Sequence, residues 1–334
     1  MRDLLLVGSI PLADADGVFE AVGVLSPYLA WVPDGETGDR SNWTQWQGDV
    51  FRKSPALEVA STRMIQGGHP YPQFRLTKDR RPRDLELGSL GYAKAARESY
   101  EVFRDWRDRG AFRLGTRFQV SLPTPFAVVI PFFGADATNE IWPVYEQKLF
   151  EELDQICGSI PNEDLAIQWD IACEIHRVLE VPGMAERFAV MDGIVRAANK
   201  VPHDVHLGIH LCYGDPGHKH IIEPKSVGLM VDISNHLARE INRPINWLHM
   251  PVPRDRDDSA YFDPLRALEQ RDETRVFLGL IHLTDGLDGA KRRIATATSF
   301  HENFGLATEC GFGRRPPGTI RDLIALHESV AKLN

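Results

Sequence analysis

The feature that most constrains this chain is a regular alternation of short apolar runs with longer amphipathic segments. From residue 116 onward, each apolar run is followed by a segment in which apolar residues recur at a helical spacing. Strands that alternate with helices form a parallel sheet, because each helix carries the chain back to the end of the sheet where the strand began. The pattern therefore predicts an α/β fold.

Eight apolar runs predict eight strands, nearly all followed by a helix. The predicted strands are 3–10, 28–33, 116–122, 165–172, 205–212, 245–252, 275–282 and 305–311. The predicted helices lie near 14–25 and over 91–108, 142–157, 184–200, 224–241, 260–271, 287–300 and 318–332. Eight strand–helix units predict a (β/α)8 TIM barrel, with an open doubly wound sheet as the alternative. We expect residues 1–334 to form one barrel domain.

A segment rich in turn-forming residues interrupts the alternation after the second predicted strand. It follows Glu36 and extends over residues 37–88 without a clear hydrophobic period. Long irregular segments in compact domains usually carry function. The sequence therefore predicts a loop-rich insertion that acts as a functional loop or cap.

Composition limits the class of partner. The formal net charge is −9, and the basic cluster at 77–83 is interrupted by Asp and Pro, which argues against nucleic acid or an anionic membrane as a partner. No apolar run approaches the roughly 18 residues of a membrane span, and MRDLLLVGSIP is broken too early by Gly and Pro for a signal peptide. The four cysteines are too irregularly spaced for a disulfide framework. We therefore expect a cytoplasmic protein with reduced cysteines, and the sequence carries no signal of oligomeric state.

Side chains that carry chemistry gather at the C-terminal ends of the predicted strands. In a (β/α)8 barrel the active site forms at these ends. The side chains are those of Ser9, Asp34, Glu36, Thr124, Asp170, His210, Cys212, His249, His282, Glu309 and Cys310. Ionisable groups at one end of otherwise apolar strands indicate a catalytic or metal site there.

His210 and Cys212 lie two positions apart at the end of one predicted strand. Alternate residues of a strand point to the same face, so both side chains can face the barrel mouth. Cys310, at the end of the last predicted strand, supplies a third donor. Imidazole and thiolate are ligands that zinc prefers, so the three residues predict a Zn2+ site. A packed histidine beside a buried free cysteine is the alternative.

Seven short motifs occur in the order seen in cobalamin-independent methionine synthase, and the chain resembles the C-terminal catalytic barrel of that family. The motifs are LLLVGSIP, PDGETGDR, VSLPTPFAVV, LAIQWDIA, GIHLCYGD, GLIHLTDG and LATECGFG. The resemblance implies a zinc enzyme whose metal binds a thiol substrate, homocysteine, as a thiolate. The thiolate then attacks the methyl group of a methyl-folate.

The resemblance also implies roles for individual residues. The zinc ligands of the family are matched by His210, Cys212 and Cys310. Ser9 and Glu36 match residues that hold the amino-acid part of homocysteine, and Asp170 matches the aspartate of the fourth-strand motif. Glu36 and Asp170 suit an ammonium group. His282 matches the histidine proposed to handle the proton of the leaving group, and histidine titrates in the range that this task needs.

The sequence departs from the family at the fourth zinc ligand, a glutamate on the sixth strand. That strand here contains NWLHMPVPRD, in which His249 is the nearest residue able to bind a metal. We therefore expect His249 as the fourth ligand, with Asp232 as the alternative if 228–234 is the strand. The Asp-Glu-Pro of the family is replaced by Asp-Ile-Ala, and the folate-holding N-terminal half of the long enzyme has no counterpart. The methyl or alkyl donor, folate or another, is thus left open.

Four tryptophans are expected near the barrel mouth, namely Trp31, Trp43, Trp46 and Trp169. Their rings suit stacking on a flat donor or an aromatic substrate, with Trp169 as a substrate-binding candidate, and core packing is the alternative.

The sequence as a whole predicts a zinc-dependent methyl or alkyl transferase that activates a small-molecule thiol. One alternative is a metal-free enzyme resembling uroporphyrinogen decarboxylase. It would need arginines at the mouth to bind substrate carboxylates, and Arg254, Arg256, Arg314 and Arg315 are available. The other is a non-catalytic protein that binds a metal or a corrinoid-carrying partner.

Overall fold

The computed structural model describes residues 2–64, 70–180, 184–214 and 223–333. Its strands are β1 (Trp31–Pro33), β2 (Leu57–Met64), β3 (Pro70–Leu76), β4 (Arg117–Pro123), β5 (Leu165–Ile171), β6 (His206–Leu211), β7 (Trp247–Pro251), β8 (Arg275–Ile281) and β9 (Phe304–Thr308). Seven of them form one parallel sheet in the order β1-β4-β5-β6-β7-β8-β9. The prediction of an α/β fold with a parallel sheet is confirmed.

The N-terminal segment lies between the two edge strands of this sheet. Leu4 makes isolated parallel bridges to Leu29, just before β1, and to Leu306 of β9. The backbone N–H of Leu4 bonds to the carbonyl of Tyr28 at 2.9 Å, and that of Leu5 to the carbonyl of Leu306 at 2.9 Å. The sheet is therefore curled, and the predicted strand 3–10 forms bridges rather than a strand. A closed eight-stranded barrel stays a prediction.

A helix occurs at each predicted place with different bounds. The helices are α1 (Ala15–Val22), α2 (Gln47–Arg52), α3 (Tyr92–Asp108), α4 (Pro125–Ser159), α5 (Cys173–Glu180), α6 (Met184–Lys200), α7 (Gly228–Glu240), α8 (Ser259–Phe262), α9 (Gly286–Thr298) and α10 (Ile320–Ala331). Two of them, α2 and α5, were not predicted. The predicted helix 260–271 is shortened to α8 and a 3-10 turn, because Pro264 cannot donate a helical hydrogen bond. Within the described residues, no helix is both long and apolar enough to span a bilayer.

The sequence predicted a helix over residues 224–241, with a strand over 228–234 as the alternative. These residues contain the helix α7, on which Asp232 is exposed. The alternative in which 228–234 is a strand and Asp232 a metal ligand is therefore wrong. A helix repeats every 3.6 residues, which matches the apolar positions of this segment better than a strand period does.

The predicted loop-rich insertion contains regular structure. It holds α2 and an antiparallel ribbon of β2 and β3, whose Tyr71 ring packs 5.0 Å from that of Phe132 on α4. β2 is exposed over almost its whole length, so it lacks the alternation by which strands are predicted. The sequence pattern did not predict β2 for that reason.

The interior enclosed by the sheet has an apolar lower part and a polar upper part. Trp31, Trp247 and Phe277 fill the lower part, near the N-terminal ends of the strands. Gly208 is required there, because a Cβ atom at this position would lie 1.8 Å from the Trp247 ring. Above this apolar layer, toward the C-terminal ends of the strands, the interior contains buried polar side chains such as that of Gln168. The functional groups are thereby confined to one end of the sheet.

Candidate metal centre

Three side chains predicted as zinc ligands come together at the C-terminal strand ends. His210 lies in β6, Cys212 follows β6 directly, and Cys310 follows β9. The Sγ atoms of Cys212 and Cys310 are 3.9 Å apart, and Cys310 Sγ is 3.9 Å from His210 Nε2. One donor atom from each residue lies within 4.8 Å of the others. The structure therefore brings together one nitrogen and two sulfur donors from distant parts of the chain.

The spacing of these donors fits a single tetrahedral ion. Two sulfur ligands at the usual zinc–sulfur distance of about 2.3 Å are about 3.8 Å apart in a tetrahedron. The observed separation of the Cys212 and Cys310 sulfurs is 3.9 Å. His210 and Cys212 are buried, whereas Cys310 is partly exposed. One nitrogen and two soft sulfurs form a donor set that suits zinc and leaves a fourth position for another ligand.

His249 lies behind His210 and does not extend this donor set. The Nδ1 atoms of the two imidazoles are 2.7 Å apart, and His249 Nε2 is 2.9 Å from the carbonyl oxygen of Thr308. Both ring nitrogens of His249 are thus already engaged, and its side chain is fully buried. Burial, and then the neighbouring His210, hold the pKa of His249 well below its usual value. The expected role of His249 as fourth ligand is therefore corrected, since it has no nitrogen left for a metal.

The environment of Cys310 favours its thiolate. The Cys212 thiol donates a hydrogen bond to Cys310 Sγ, His210 lies on another side, and Arg314 Nη2 donates from 3.8 Å. The hydrogen bond from Cys212 is the largest reason why the pKa of Cys310 lies well below its usual value, although burial opposes the shift. Metal coordination requires this deprotonated form of the sulfur.

A buried carboxyl group from the loop after β1 lies beside the cysteine cluster. Ser9 Oγ donates a hydrogen bond to Glu36 Oε2. Asp34 Oδ1 accepts the backbone N–H of Glu36 at 2.9 Å, and Asp34 is paired with Arg40 at 2.7 Å. These contacts hold Glu36 in a left-handed backbone conformation, with φ of 47°. Burial raises the pKa of Glu36 to about 7, and Cys310 is close enough to contribute in the same direction.

Asp170 of β5 brings a second carboxyl group to the same place. Gln168 Nε2 donates to Asp170 Oδ1 at 2.8 Å, and Trp43 also hydrogen-bonds to this carboxyl. Burial raises the pKa of Asp170 well above its usual value, and the next largest cause is the carboxyl of Glu36. Cys310 contributes as well. The predicted substrate-binding residues therefore surround one edge of the cysteine cluster.

His282, the predicted proton donor, is paired with Glu309. His282 Nε2 donates to the carbonyl oxygen of Val252 at 2.9 Å, and its Nδ1 lies 3.6 Å from Glu309 Oε1. The His282 side chain is 3% exposed and that of Glu309 11% exposed. The carboxylate therefore lies on the more open side of the pair. Because Glu309 precedes Cys310, the sequence placed it at a strand end. The sequence did not predict that it pairs with His282.

Sequence reasoning misplaced two of the four tryptophans. Trp169 is fully buried in the apolar layer between sheet and helices, because it neighbours Asp170 and adjacent strand residues face opposite sides. Its expected contact with substrate is corrected accordingly. Trp31 lies at the opposite end of the sheet, against Trp247 at 4.3 Å. Trp43 is at the mouth, where it binds Asp170.

Gln168 was not identified from sequence as a residue of the centre, and Arg314 was considered only as a substrate-binding arginine of the decarboxylase alternative. Gln168 holds Asp170, and Arg314 donates to Cys310 Sγ. Gln168 could have been found by the alternation that linked His210 to Cys212, since it precedes Asp170 by two positions on one strand face. Arg314 follows Cys310 outside any strand or helix, so neither strand alternation nor helical periodicity predicts where its side chain lies.

Comparison with known proteins rests on structure. No protein-family model matches the chain, and no curated protein matches it. A B12-independent methionine synthase from Shewanella sp. W3-18-1, in complex with selenomethionine, matches with a TM-score of 0.64 and 14% identity, over 99% of this chain and 96% of that one. A putative vitamin-B12 independent methionine synthase from Listeria monocytogenes matches with a TM-score of 0.55 and 12% identity, over 99% of both chains.

The chain shares its fold with B12-independent methionine synthase. The likeness spans nearly the whole length of both methionine synthase chains, so it covers the seven-stranded sheet and its helices together. The resemblance inferred from seven short motifs is thereby confirmed at the level of fold. At these identities the comparison carries no residue roles, which have to be argued from this chain's own side chains.

Proposed function

We propose that the protein is a zinc-dependent enzyme that transfers a methyl or alkyl group to a thiol substrate. The observation that carries the proposal is the convergence of His210, Cys212 and Cys310 beside two buried carboxyl groups. His210, Cys212 and Cys310 would hold the metal. When bound, zinc lowers the pKa of a thiol that joins it, so that the sulfur stays an anionic nucleophile at neutral pH.

Glu36 and Asp170 are proposed to bind the ammonium group of an amino-acid thiol such as homocysteine. Their pKa values are raised by burial and, for Asp170, by the neighbouring Glu36, so two negative charges there are costly. A substrate ammonium group beside them would restore favourable ion pairing. Selenomethionine, which the Shewanella structure contains, is an amino acid with a selenium ether in its side chain. This ligand supports the same substrate class here.

His282 and Glu309 are proposed to supply the proton that the leaving group needs. In the transfer, a sulfur–carbon bond forms while the bond from that carbon to the donor breaks, and the donor atom keeps the bonding electrons. Because His282 Nε2 donates to the Val252 carbonyl, a proton on Nδ1 would face Glu309, and that carboxyl group would pass it to the donor atom that leaves. A histidine–carboxylate pair can serve as a general acid near neutral pH.

The decarboxylase alternative receives less support from three of the four arginines on which it depends. Arg256 is paired with Asp258 at 2.7 Å, and Arg254 lies 3.5 Å from Asp255. Guanidinium groups committed to neighbouring carboxylates are poorly suited to bind substrate carboxylates. Arg314, which donates to Cys310, is instead part of the cysteine cluster.

The proposal is tested with cobalt-substituted protein, because cobalt(II) bound to sulfur has a visible spectrum. Homocysteine is titrated against 4-mercaptobutyrate, which has the same thiol chain without the amino group. We expect both thiols to change the spectrum and homocysteine to bind more tightly. Asp170→Asn should reduce this preference about tenfold, as expected for one charge-assisted contact. A spectrum unchanged by either thiol would refute thiol transfer.

A further inference from the structure

A chain of hydrogen bonds runs from β9 through His249 to the proposed metal ligand His210. His210 and His249 are register partners on the adjacent strands β6 and β7. Their Nδ1 atoms are 2.7 Å apart, and the other ring nitrogen of His249 is 2.9 Å from the Thr308 carbonyl oxygen on β9. In a hydrogen bond between two imidazole nitrogens, one nitrogen carries the hydrogen and donates it, and the other accepts with its lone pair.

The carbonyl oxygen of Thr308 decides how the protons are distributed. A carbonyl oxygen only accepts, so His249 Nε2 carries a hydrogen. His249 is fully buried, and a second proton on its ring would place a charge there at considerable cost. His249 Nδ1 is therefore an acceptor, and the hydrogen between the two rings belongs to His210 Nδ1. A neutral His210 then has its lone pair on Nε2, the atom that lies 3.9 Å from Cys310 Sγ.

We infer that His249 is a positioning residue that fixes the tautomer and ring orientation of His210, so that His210 Nε2 faces the metal site. The inference rests on the metal site of the proposed function and deepens it. Ligand imidazoles usually donate their second N–H to a fixed acceptor, and loss of this partner lowers metal affinity about 10- to 100-fold. Here the acceptor is a second histidine, itself held by the strand that leads to Cys310.

Thr308 connects this chain of bonds to the cysteine side of the centre. Its carbonyl oxygen accepts from His249, and its Oγ1 donates to the backbone carbonyl of Cys310 at 2.6 Å. One residue therefore positions both the histidine ligand, through His249, and the backbone that carries Cys310. Thr308 thereby links His249 of β7 to the ligand on β6 and to the ligand that follows β9.

Two substitutions separate positioning from simple packing. His249→Phe keeps the ring but removes the acceptor. His249→Gln keeps one acceptor and one donor at a similar separation, so it can still accept from His210 and donate to Thr308. Zinc affinity, measured by competition with a chromophoric chelator, should fall about 10- to 100-fold in the phenylalanine variant. It should stay within about threefold of wild type in the glutamine variant, and equal affinity in all three proteins would overturn the inference.

Nitrogen-15 NMR of histidine-labelled, metal-free protein gives a readout that packing alone would not change. Wild-type His210, assigned by loss of its signals in His210→Asn, should carry its proton on Nδ1. A proton on Nε2 would overturn the inference even if neither His249 variant folded. A wild-type protein that binds no zinc would refute the proposed function, while this measurement would still decide the role of His249.

X-ray absorption at the zinc edge distinguishes a positioning residue from a ligand. We expect one imidazole nitrogen and two cysteine sulfurs from the protein, with the same imidazole count in His249→Gln. A count that falls from two imidazoles to one in this variant would show that His249 binds the metal, and would overturn the inference.

Discussion

At the scale of single residues, the surroundings of a side chain determine its pKa, and Glu174, outside the metal centre, is an example. It lies in the first turn of α5, is 1% exposed, and accepts a hydrogen bond from Thr124, the residue that caps α4. Burial raises its pKa from 4.5 to about 7. The folded protein therefore holds a proton on Glu174 that the unfolded chain releases at a lower pH.

This shift predicts how stability depends on pH. Between about pH 4.5 and pH 7 the folded state binds more protons at Glu174 than the unfolded state, so its contribution to the free energy of unfolding falls as pH rises. Glu174→Gln removes this dependence while keeping an acceptor for Thr124. Urea unfolding gives the free energy of unfolding of the variant minus that of wild type. We expect this difference to be larger at pH 8 than at pH 5, by up to about 3 kcal/mol. A difference that is equal at both pH values would contradict this assignment.

At the scale of elements, the kink in α4 depends on one glycine. Gly134 has φ of 73° and ψ of 174°, a conformation that residues with a Cβ atom rarely adopt. Just before the kink, Gln73 of the β2–β3 ribbon donates a hydrogen bond to the carbonyl oxygen of Pro131. The kink therefore lies where the ribbon is attached to the helix.

Gly134→Ala is predicted to destabilise the protein by roughly 1–3 kcal/mol, because alanine is strained in this region of φ and ψ. Gly158→Ala is the matched control in the same helix, where an added Cβ atom meets nothing within 4 Å. Alanine there should be neutral or stabilise by up to about 1 kcal/mol. Urea unfolding of both variants is the measurement. Equal stability of the two would show that Gly134 is not under this constraint.

Strands that are buried could be predicted from the sequence, whereas exposed strands could not. Strands β4 to β9 were identified because both of their faces are buried and yield apolar runs. The exposed β2 carries no such pattern, and the segment 3–10 looked like a strand although only Leu4 forms bridges. Strand alternation also placed His210 and Cys212 on one face, and if applied to Trp169 it would have separated this ring from Asp170.

At the scale of the whole molecule, the sheet brings together residues that are far apart in sequence. Cys212 and Cys310 are separated by 98 positions, yet their sulfurs are 3.9 Å apart. The strand-end rule for barrels predicted this meeting. It could not predict that both nitrogens of His249 are occupied by His210 and Thr308, because that depends on distances across three strands.

The zinc content of purified protein and of three cysteine variants tests the central claim most directly. We predict one zinc per chain in wild type and in Cys157→Ser, whose half-buried cysteine lies on α4 outside the metal cluster. Cys212→Ser and Cys310→Ser should lose the metal, because each removes one of two sulfur donors. A full complement of zinc in Cys212→Ser, or none in wild type, would contradict the account.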